Sequence, residues 1–389
     1  MGKARGFPIS RGSVTDEKTS GVGRRDFLKV CTMAAAAVGL SASTGRAWAE
    51  AAAKGLKPSV IWLHFQECTG CTESLLRTSH PAVAELILDL ISLDYHETLF
   101  AAAGHQAEDA LKTAMEKGAG KYICVVEGGI PTKDGGIYCQ IAGRTALDML
   151  KEVADKAGAI IAIGSCASWG GIQAADPNPT GAKGAPQILE GKTVVSIPGC
   201  PPNPYNFLGA VLQLATFGTL PALDEKGRPK FPYGRTIHES CPRRAQFDAG
   251  HFAHQYGDDA HRNGACLFSL GCKGPYTHAP CATIDFGEVP GAWPIGIGHP
   301  CIGCTEAKLL WRVSAYQTIE PPPTLRPVLE SSQAEAREAG TSGGLNRAVV
   351  GAVGVVGGAL VTAGVMAARK GGGQEPPDPA PHGSSPTAD

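Results

Sequence analysis

Ten cysteines and one histidine stand in short turns rich in Gly and Pro: Cys68-Thr69-Gly70-Cys71, Cys166, Cys200, His238-Glu239-Ser240-Cys241, Cys266, Cys272, Cys281 and Cys301-Ile302-Gly303-Cys304. Thiolate and imidazole are soft donors, and this many of them is enough to hold several iron-sulfur clusters. Clusters set in a row pass electrons, so the chemistry these residues point to is electron transfer. The composition leaves room for it. At 389 residues and 43% hydrophobic content the chain can bury more than one core. A formal net charge of -1 gives no global field that would attract nucleic acid.

The donors divide between two kinds of chain. Over residues 57–220, apolar segments at Val60 to Phe65, Tyr122 to Val126, Ala159 to Ile163 and Thr193 to Ile197 read as strands. Helical periodicity fills the intervals at Pro81 to Ile91, Glu108 to Lys117 and Arg144 to Lys156 and follows the last strand at Tyr205 to Thr216. Ser92 to Phe100 adds a further candidate strand. The alternation predicts an α/β fold with a doubly wound parallel sheet. In such a sheet the loops at the carboxyl ends of the strands converge at a switch point. Cys68 and Cys71 follow the first strand, Cys166 the Ala159 strand and Cys200 the Thr193 strand, so topology can bring these four thiols together.

Residues 234–315 carry the other seven donors with little regular periodicity. Such a segment cannot build a large core, and metal coordination is expected to supply part of its folding free energy. Two clusters account for the seven. His251, His254, His261, His278 and His299 read as surface or turn residues rather than ligands. Zinc competes for four thiolates, although structural zinc usually draws on two knuckles close in sequence. Disulfides compete as well if the chain is exported. Glu73, just after the first motif, reads equally as a charge at a helix start and as a proton-relay carboxylate.

Both ends read as targeting segments. Residues 1–49 contain Arg24-Arg25-Asp26-Phe27-Leu28-Lys29, an Ala-rich apolar stretch and Ala47-Trp48-Ala49, the pattern of a twin-arginine export signal, with Gly23 where Ser or Thr is usual. Ala348 to Ala368 is uncharged and long enough to span roughly 30 Å of hydrocarbon at about 1.5 Å per residue, which predicts a C-terminal transmembrane helix. Its many small residues allow close helix packing in lipid. Residues 371–389 are rich in Gly and Pro and read as a disordered tail.

The motifs together resemble one family, the small subunits of membrane-bound, periplasm-facing nickel-iron hydrogenases. The residues that carry the likeness are Trp62-Leu63-His64, Glu67-Cys68-Thr69-Gly70-Cys71-Thr72-Glu73-Ser74, Gly164 to Ala175 around Cys166, Pro198-Gly199-Cys200-Pro201-Pro202-Asn203-Pro204, Cys272-Lys273-Gly274-Pro275 and Gly298-His299-Pro300-Cys301-Ile302-Gly303-Cys304. The likeness runs from about Pro58 to Trp311. It implies a flavodoxin-like domain that holds a proximal 4Fe-4S cluster on Cys68, Cys71, Cys166 and Cys200. It also implies an irregular domain with a distal 4Fe-4S cluster on His238, Cys241, Cys266 and Cys272, and a medial 3Fe-4S cluster on Cys281, Cys301 and Cys304. Pro294 lies where this family commonly has proline in place of a fourth medial cysteine. Cys31 then belongs to the signal, and Cys124 and Cys139 to the structure.

Oxygen-tolerant members place extra cysteines at the positions of Gly70 and Gly171. Both are glycine here, so the resemblance implies an ordinary proximal cubane. One departure is Thr277-His278-Ala279-Pro280, where asparagines are usual. The resemblance further implies a hydrogenase in which a separate large subunit holds the nickel-iron centre. Electrons from H2 oxidation would leave through this chain to a membrane cytochrome b or similar quinone-linked subunit, on the periplasmic side of the inner membrane. The competing classes are an iron-sulfur subunit of a quinone oxidoreductase-like complex and a zinc or disulfide structural protein.

Overall fold

The computed structural model describes residues 57–78 and 91–323, together with Leu325 and scattered positions between 32 and 50. The expected signal apart from those scattered positions, the helix expected at Pro81 to Ile91 apart from Ile91, the transmembrane run and the tail lie outside the described residues, as does Cys31. Among the described residues no helix is long and apolar enough to cross a membrane. A compact unit ends at Arg326, and the second unit begins at Pro327.

Five strands build the sheet: β1 (Ser59–His64), β2 (Ser92–His96), β3 (Ile123–Glu127), β4 (Ala159–Ile163) and β5 (Val194–Ile197). All pairings are parallel and the order is β2-β1-β3-β4-β5, the flavodoxin-like doubly wound arrangement. These strands read as near-continuous apolar runs because both faces are covered. Successive side chains point to opposite faces, and the core splits accordingly. Val60, Trp62, Ile123, Val125, Ile161, Ile163, Val195 and Ile197 enter one layer. Ile61, Leu63, Cys124, Val126, Ile160, Ala162 and Val194 enter the other.

The helices close the two layers. Helix α1 (Gly70–Leu76) leaves the β1 loop, α2 (His105–Lys117) and α3 (Ala146–Asp155) cover the second layer, α4 (Gly164–Trp169) follows β4, and α5 (Pro204–Phe217) covers the first. The expected helix at Arg144 to Lys156 begins later because the Thr145 side chain caps it, accepting from the Asp148 N–H, while Arg144 pairs in a small hairpin. Asn203 caps α5 in the same way, with Pro204 at its first position and Gly218 at its left-handed end. The candidate strand at Ser92 to Phe100 is real but stops at His96. After β4 the chain enters a short helix rather than a loop, because Gly164 at φ +82° turns it at once.

Past Leu220 regular structure gives way to single helical turns and 3-10 segments, as the weak periodicity predicts. The core there consists of Ile237, Ala253, Ala265, Leu267, Leu270, Ala279, Trp293 and Ile295 together with Cys272 and Cys301 themselves. Arg228 fastens this part to what precedes it. Its Nε donates to Asp224 Oδ2 at 2.7 Å and its Nη1 to the buried Glu306 Oε1 at 2.7 Å, which also accepts the His278 N–H at 3.0 Å.

Phe207 is fully buried beneath the first layer and rests on Trp62, with ring centroids 5.2 Å apart. Phe207→Ala is expected to destabilise the sheet domain by about 3–5 kcal/mol, checked by chemical denaturation of the assembled protein.

Candidate metal centres

The strand registers run His64↔Glu127, Glu127↔Ile163 and Ile163↔Ile197, so β1, β3, β4 and β5 end at one level. The loops after β1, β4 and β5 leave from that edge and bring Cys68, Cys71, Cys166 and Cys200 into one set. Cys71 is pushed well above the ordinary thiol range by burial first, then by Glu127 and by Cys166, Cys200 and Cys68. Cys166 is raised to about 11 by burial, then by Cys200 and Cys68, and Cys200 by burial and Cys68. Glycines make room for the sulfurs. A Cβ on Gly164 would lie 2.4 Å from Cys71 Sγ, and one on Gly171 would lie 2.4 Å from Cys166 Sγ.

His238, Cys241, Cys266 and Cys272 line one pocket with Phe247, Phe268 and Ile295. Thr236 and Glu239 cap the turn that presents the histidine: the Thr236 Oγ1 accepts the Glu239 N–H, and Glu239 accepts the Thr236 N–H at 3.2 Å. Burial, then Arg244, holds the imidazole down at about 4, so it is neutral. Its buried Nε2 has no hydrogen-bond partner. A buried ring nitrogen without a partner is costly unless something else satisfies it. Phe247 packs edge-on against the ring with centroids 4.6 Å apart. Cys266 is raised to about 12, chiefly by burial.

Cys281, Cys301 and Cys304 form the third set. Burial and Cys301 push Cys281 up to about 12, burial and Cys281 push Cys304 up to about 12, and Cys301 is raised by burial, Cys272 and Cys304. The unusual Thr277-His278 segment has its own work. Thr277 Oγ1 donates to the Lys273 carbonyl at 2.7 Å and lies 3.5 Å from Cys301 Sγ, and His278 Nδ1 meets Glu306 at 3.1 Å.

The three sets touch in series. The Ser165 hydroxyl donates to the Cys304 carbonyl, and the Cys200 amide supports the Cys304 sulfur. The Lys273 N–H donates to the Cys301 carbonyl at 2.7 Å, and the Cys301 amide supports the Cys272 sulfur. The cysteines of the described residues are all free thiols. Among the described residues no three His, Cys, Asp or Glu side chains converge on a single metal ion. The donor set, thiols with one neutral imidazole carried on separate loops, fits polynuclear iron-sulfur clusters, in which each ligand takes a different iron.

The remaining cysteines stay apart from these sets. Cys124 is fully buried in the second core layer and Cys139 packs against it. Ring nitrogens of His251, His261 and His299 meet Gln246, the Gly298 carbonyl and the Pro300 carbonyl. Glu73 is exposed on α1, 3.8 Å from Arg77. Sequence reasoning missed two buried charges, Glu127 behind Cys71 and Lys273 beside Cys272. Each carries a visible signal, a carboxylate ending an apolar strand and a lysine inside a ligand motif.

The parallel sheet with thiols at its carboxyl edge, followed by a cysteine-cored segment, defines an iron-sulfur protein of the electron-transfer kind. Residues 68–214 match the family of the NADH ubiquinone oxidoreductase 20 kDa subunit, and residues 233–317 match the family formed by the C-terminal part of the NiFe/NiFeSe hydrogenase small subunit. The second match separates the hydrogenase class from the quinone oxidoreductase class. The chain is 48% identical over 358 residues to the Hydrogenase-2 small chain of Escherichia coli (strain K12), covering 92% of this chain and 95% of that one. It is 50% identical over 303 residues to the periplasmic [NiFe] hydrogenase small subunit of Solidesulfovibrio fructosivorans, covering 77% of this chain and 95% of the relative. The fold matches the reduced, active Ni-Fe-Se hydrogenase from Desulfomicrobium baculatum with a TM-score of 0.63 at 35% identity, covering 68% of this chain and 100% of that one.

The chain belongs to the small subunits of nickel-iron hydrogenases. It is the electron-transfer subunit, carries iron-sulfur clusters, and pairs with a large subunit to form the active hydrogenase.

Gly164→Ala is expected to lower the iron content of the protein, because the added Cβ displaces Cys71 Sγ. Gly191→Ala meets nothing within 4 Å at the same φ of +82° and is expected to retain full iron. Metal analysis of the two purified variants checks the pair.

Proposed function

We propose that Cys68, Cys71, Cys166 and Cys200 hold a proximal 4Fe-4S cluster, Cys281, Cys301 and Cys304 a medial 3Fe-4S cluster, and His238, Cys241, Cys266 and Cys272 a distal 4Fe-4S cluster. The observation that carries this reading is the serial link of the three sets, in which Ser165 beside Cys166 donates to the Cys304 carbonyl and Lys273 beside Cys272 donates to the Cys301 carbonyl at 2.7 Å. Bound clusters supply one-electron redox sites between the nickel-iron centre of the large subunit and an outside acceptor. His238 contributes a neutral donor where its companions are thiolates, which leaves the distal site less negative. Glycines at positions 70 and 171 keep the proximal set at four thiols.

Residues 57–220 form the flavodoxin-like domain and residues 234–315 the domain of the medial and distal sets. The twin-arginine pattern within residues 1–49 supports export in the folded state, with cofactors already in place. The apolar run at 348–368 supports an anchor in the inner membrane, the body lying on the periplasmic side. That anchor makes a membrane cytochrome b or similar quinone-linked subunit the natural acceptor. Glu73, exposed on the helix that carries Cys71, is the candidate first proton acceptor of this chain.

Purification of the complex from membranes through a tag on this chain, followed by metal analysis and low-temperature EPR, tests the reading. About eleven irons per chain, a three-iron signal on oxidation and co-purifying nickel are expected. Zinc without iron refutes the cluster assignment. Glu73→Gln is expected to abolish hydrogen turnover while all three clusters stay reducible by dithionite. Unchanged turnover removes Glu73 from the proton path.

A further inference from the structure

We propose that Glu127 and Lys273 are fixed buried charges of opposite sign that grade the electron path, the carboxylate lowering the potential of the proximal site and the ammonium raising that of the distal and medial sites. The inference rests on the ligand sets proposed above.

Glu127 ends β3 and is 1% exposed. Its Oε1 accepts the N–H of Cys71 at 3.0 Å and of Thr72 at 3.3 Å. Its Oε2 accepts Trp62 Nε1 at 3.0 Å and Thr72 Oγ1 at 2.7 Å. The direction of the last bond is fixed from behind. His96 Nδ1 accepts the N–H groups of Thr98 and Leu99, both at 3.3 Å, so the ring proton sits on Nε2 and is donated to Thr72 Oγ1 at 3.3 Å. Burial, then His64, holds His96 down at about 3 and keeps it neutral. The Thr72 proton therefore goes to Glu127. Four donors face the two oxygens, which is the environment of a carboxylate and not of a carboxylic acid. His64 Nδ1 stands 4.0 Å from Oε2 and closer, at 3.3 Å, to Glu67.

Lys273 is fully buried at the other end of the path. Four carbonyls surround its Nζ, those of Gly271 at 2.6 Å, Ser314 at 3.1 Å, Ala315 at 3.2 Å and Gln317 at 2.5 Å, and its three N–H groups are shared among them. Its hydrogen-bond partners are all neutral, so carbonyl dipoles solvate the charge without cancelling it. The residue follows Cys272 and donates its own N–H to the Cys301 carbonyl at 2.7 Å. It thus stands between a distal and a medial ligand.

Reduction adds one electron to a cluster. A neighbouring negative charge raises the energy of the reduced form and a positive charge lowers it, and out of water neither is well screened. Glu127 touches a proximal ligand through the Cys71 amide. Together the pair favours electrons leaving the proximal site for the outer two.

EPR-monitored redox titration of the intact heterodimer, with iron analysis of each variant, tests the proposal. In Glu127→Gln the reduced-to-oxidised ratio of the proximal site at fixed poise is expected to rise about tenfold, roughly 59 mV for one electron, with the outer sites unmoved. In Lys273→Gln the ratios of the medial and distal sites are expected to fall by a similar factor while the proximal site stays put. Glu127→Asp and Lys273→Arg keep the charge and are expected to stay near the parent. Full iron with unmoved ratios overturns the proposal, as does a shift of all three sites in one direction. A parent protein without three separable signals overturns the ligand sets instead. The two arms are independent, so a variant that fails to assemble leaves the other arm to decide.

Discussion

Burial pushes the thiols of Cys71, Cys166, Cys266, Cys281, Cys301 and Cys304 above their ordinary range, because a thiolate loses its hydration when it leaves water. Metal binding needs those same groups as thiolates. The rest of the fold is arranged around that conflict. Backbone amides approach the sulfurs of Cys272 and Cys304, glycines give up their side chains where the sulfurs of Cys71 and Cys166 must sit, and His238 offers a neutral donor in place of one more anion.

The two halves of the chain meet this constraint by different means. In the first, strands buried on both faces supply the rigidity, and thiols are carried on loops that leave one edge of the sheet. Such loops need no core of their own. In the second, Cys272 and Cys301 are themselves core residues, packed with Leu267, Trp293 and Ile295. Folding and metal binding are coupled more closely there, since removing the metal leaves buried thiols and an unpartnered imidazole nitrogen in the middle of the packing.

Several contacts between the halves are polar and local. Ser165 reaches the Cys304 carbonyl, Trp169 Nε1 reaches the Thr305 carbonyl at 3.3 Å, and Arg228 reaches Glu306. The first two join segments that carry Cys166 and Cys304, so short, directional bonds help set the spacing there, alongside apolar packing such as Ile284 against the first core layer. Electron transfer depends steeply on distance, and bonds of this kind hold distance better than a soft contact does.

The parallel sheet, the helices at 108–117, 144–156 and 205–216 and the eleven candidate donors were legible in the sequence. Apolar runs between helical periodicities admit few topologies, and ligand residues in Gly-Pro turns announce themselves by type. The split into sets of four, three and four came from resemblance, since spacing alone left the last seven donors undivided. Only the tertiary structure decided which thiols face one another, that Ile163 and Ile197 end their strands level with His64, and that Thr277 and His278 pair within the outer segment. It also decided the placement of Glu127 and Lys273. A Glu closing an apolar strand and a Lys inside a ligand motif mark the positions in sequence, but not what the charged groups touch. Burial, hydrogen-bond direction and nearness to a sulfur are properties of residues far apart in the chain, and only folding brings those residues together.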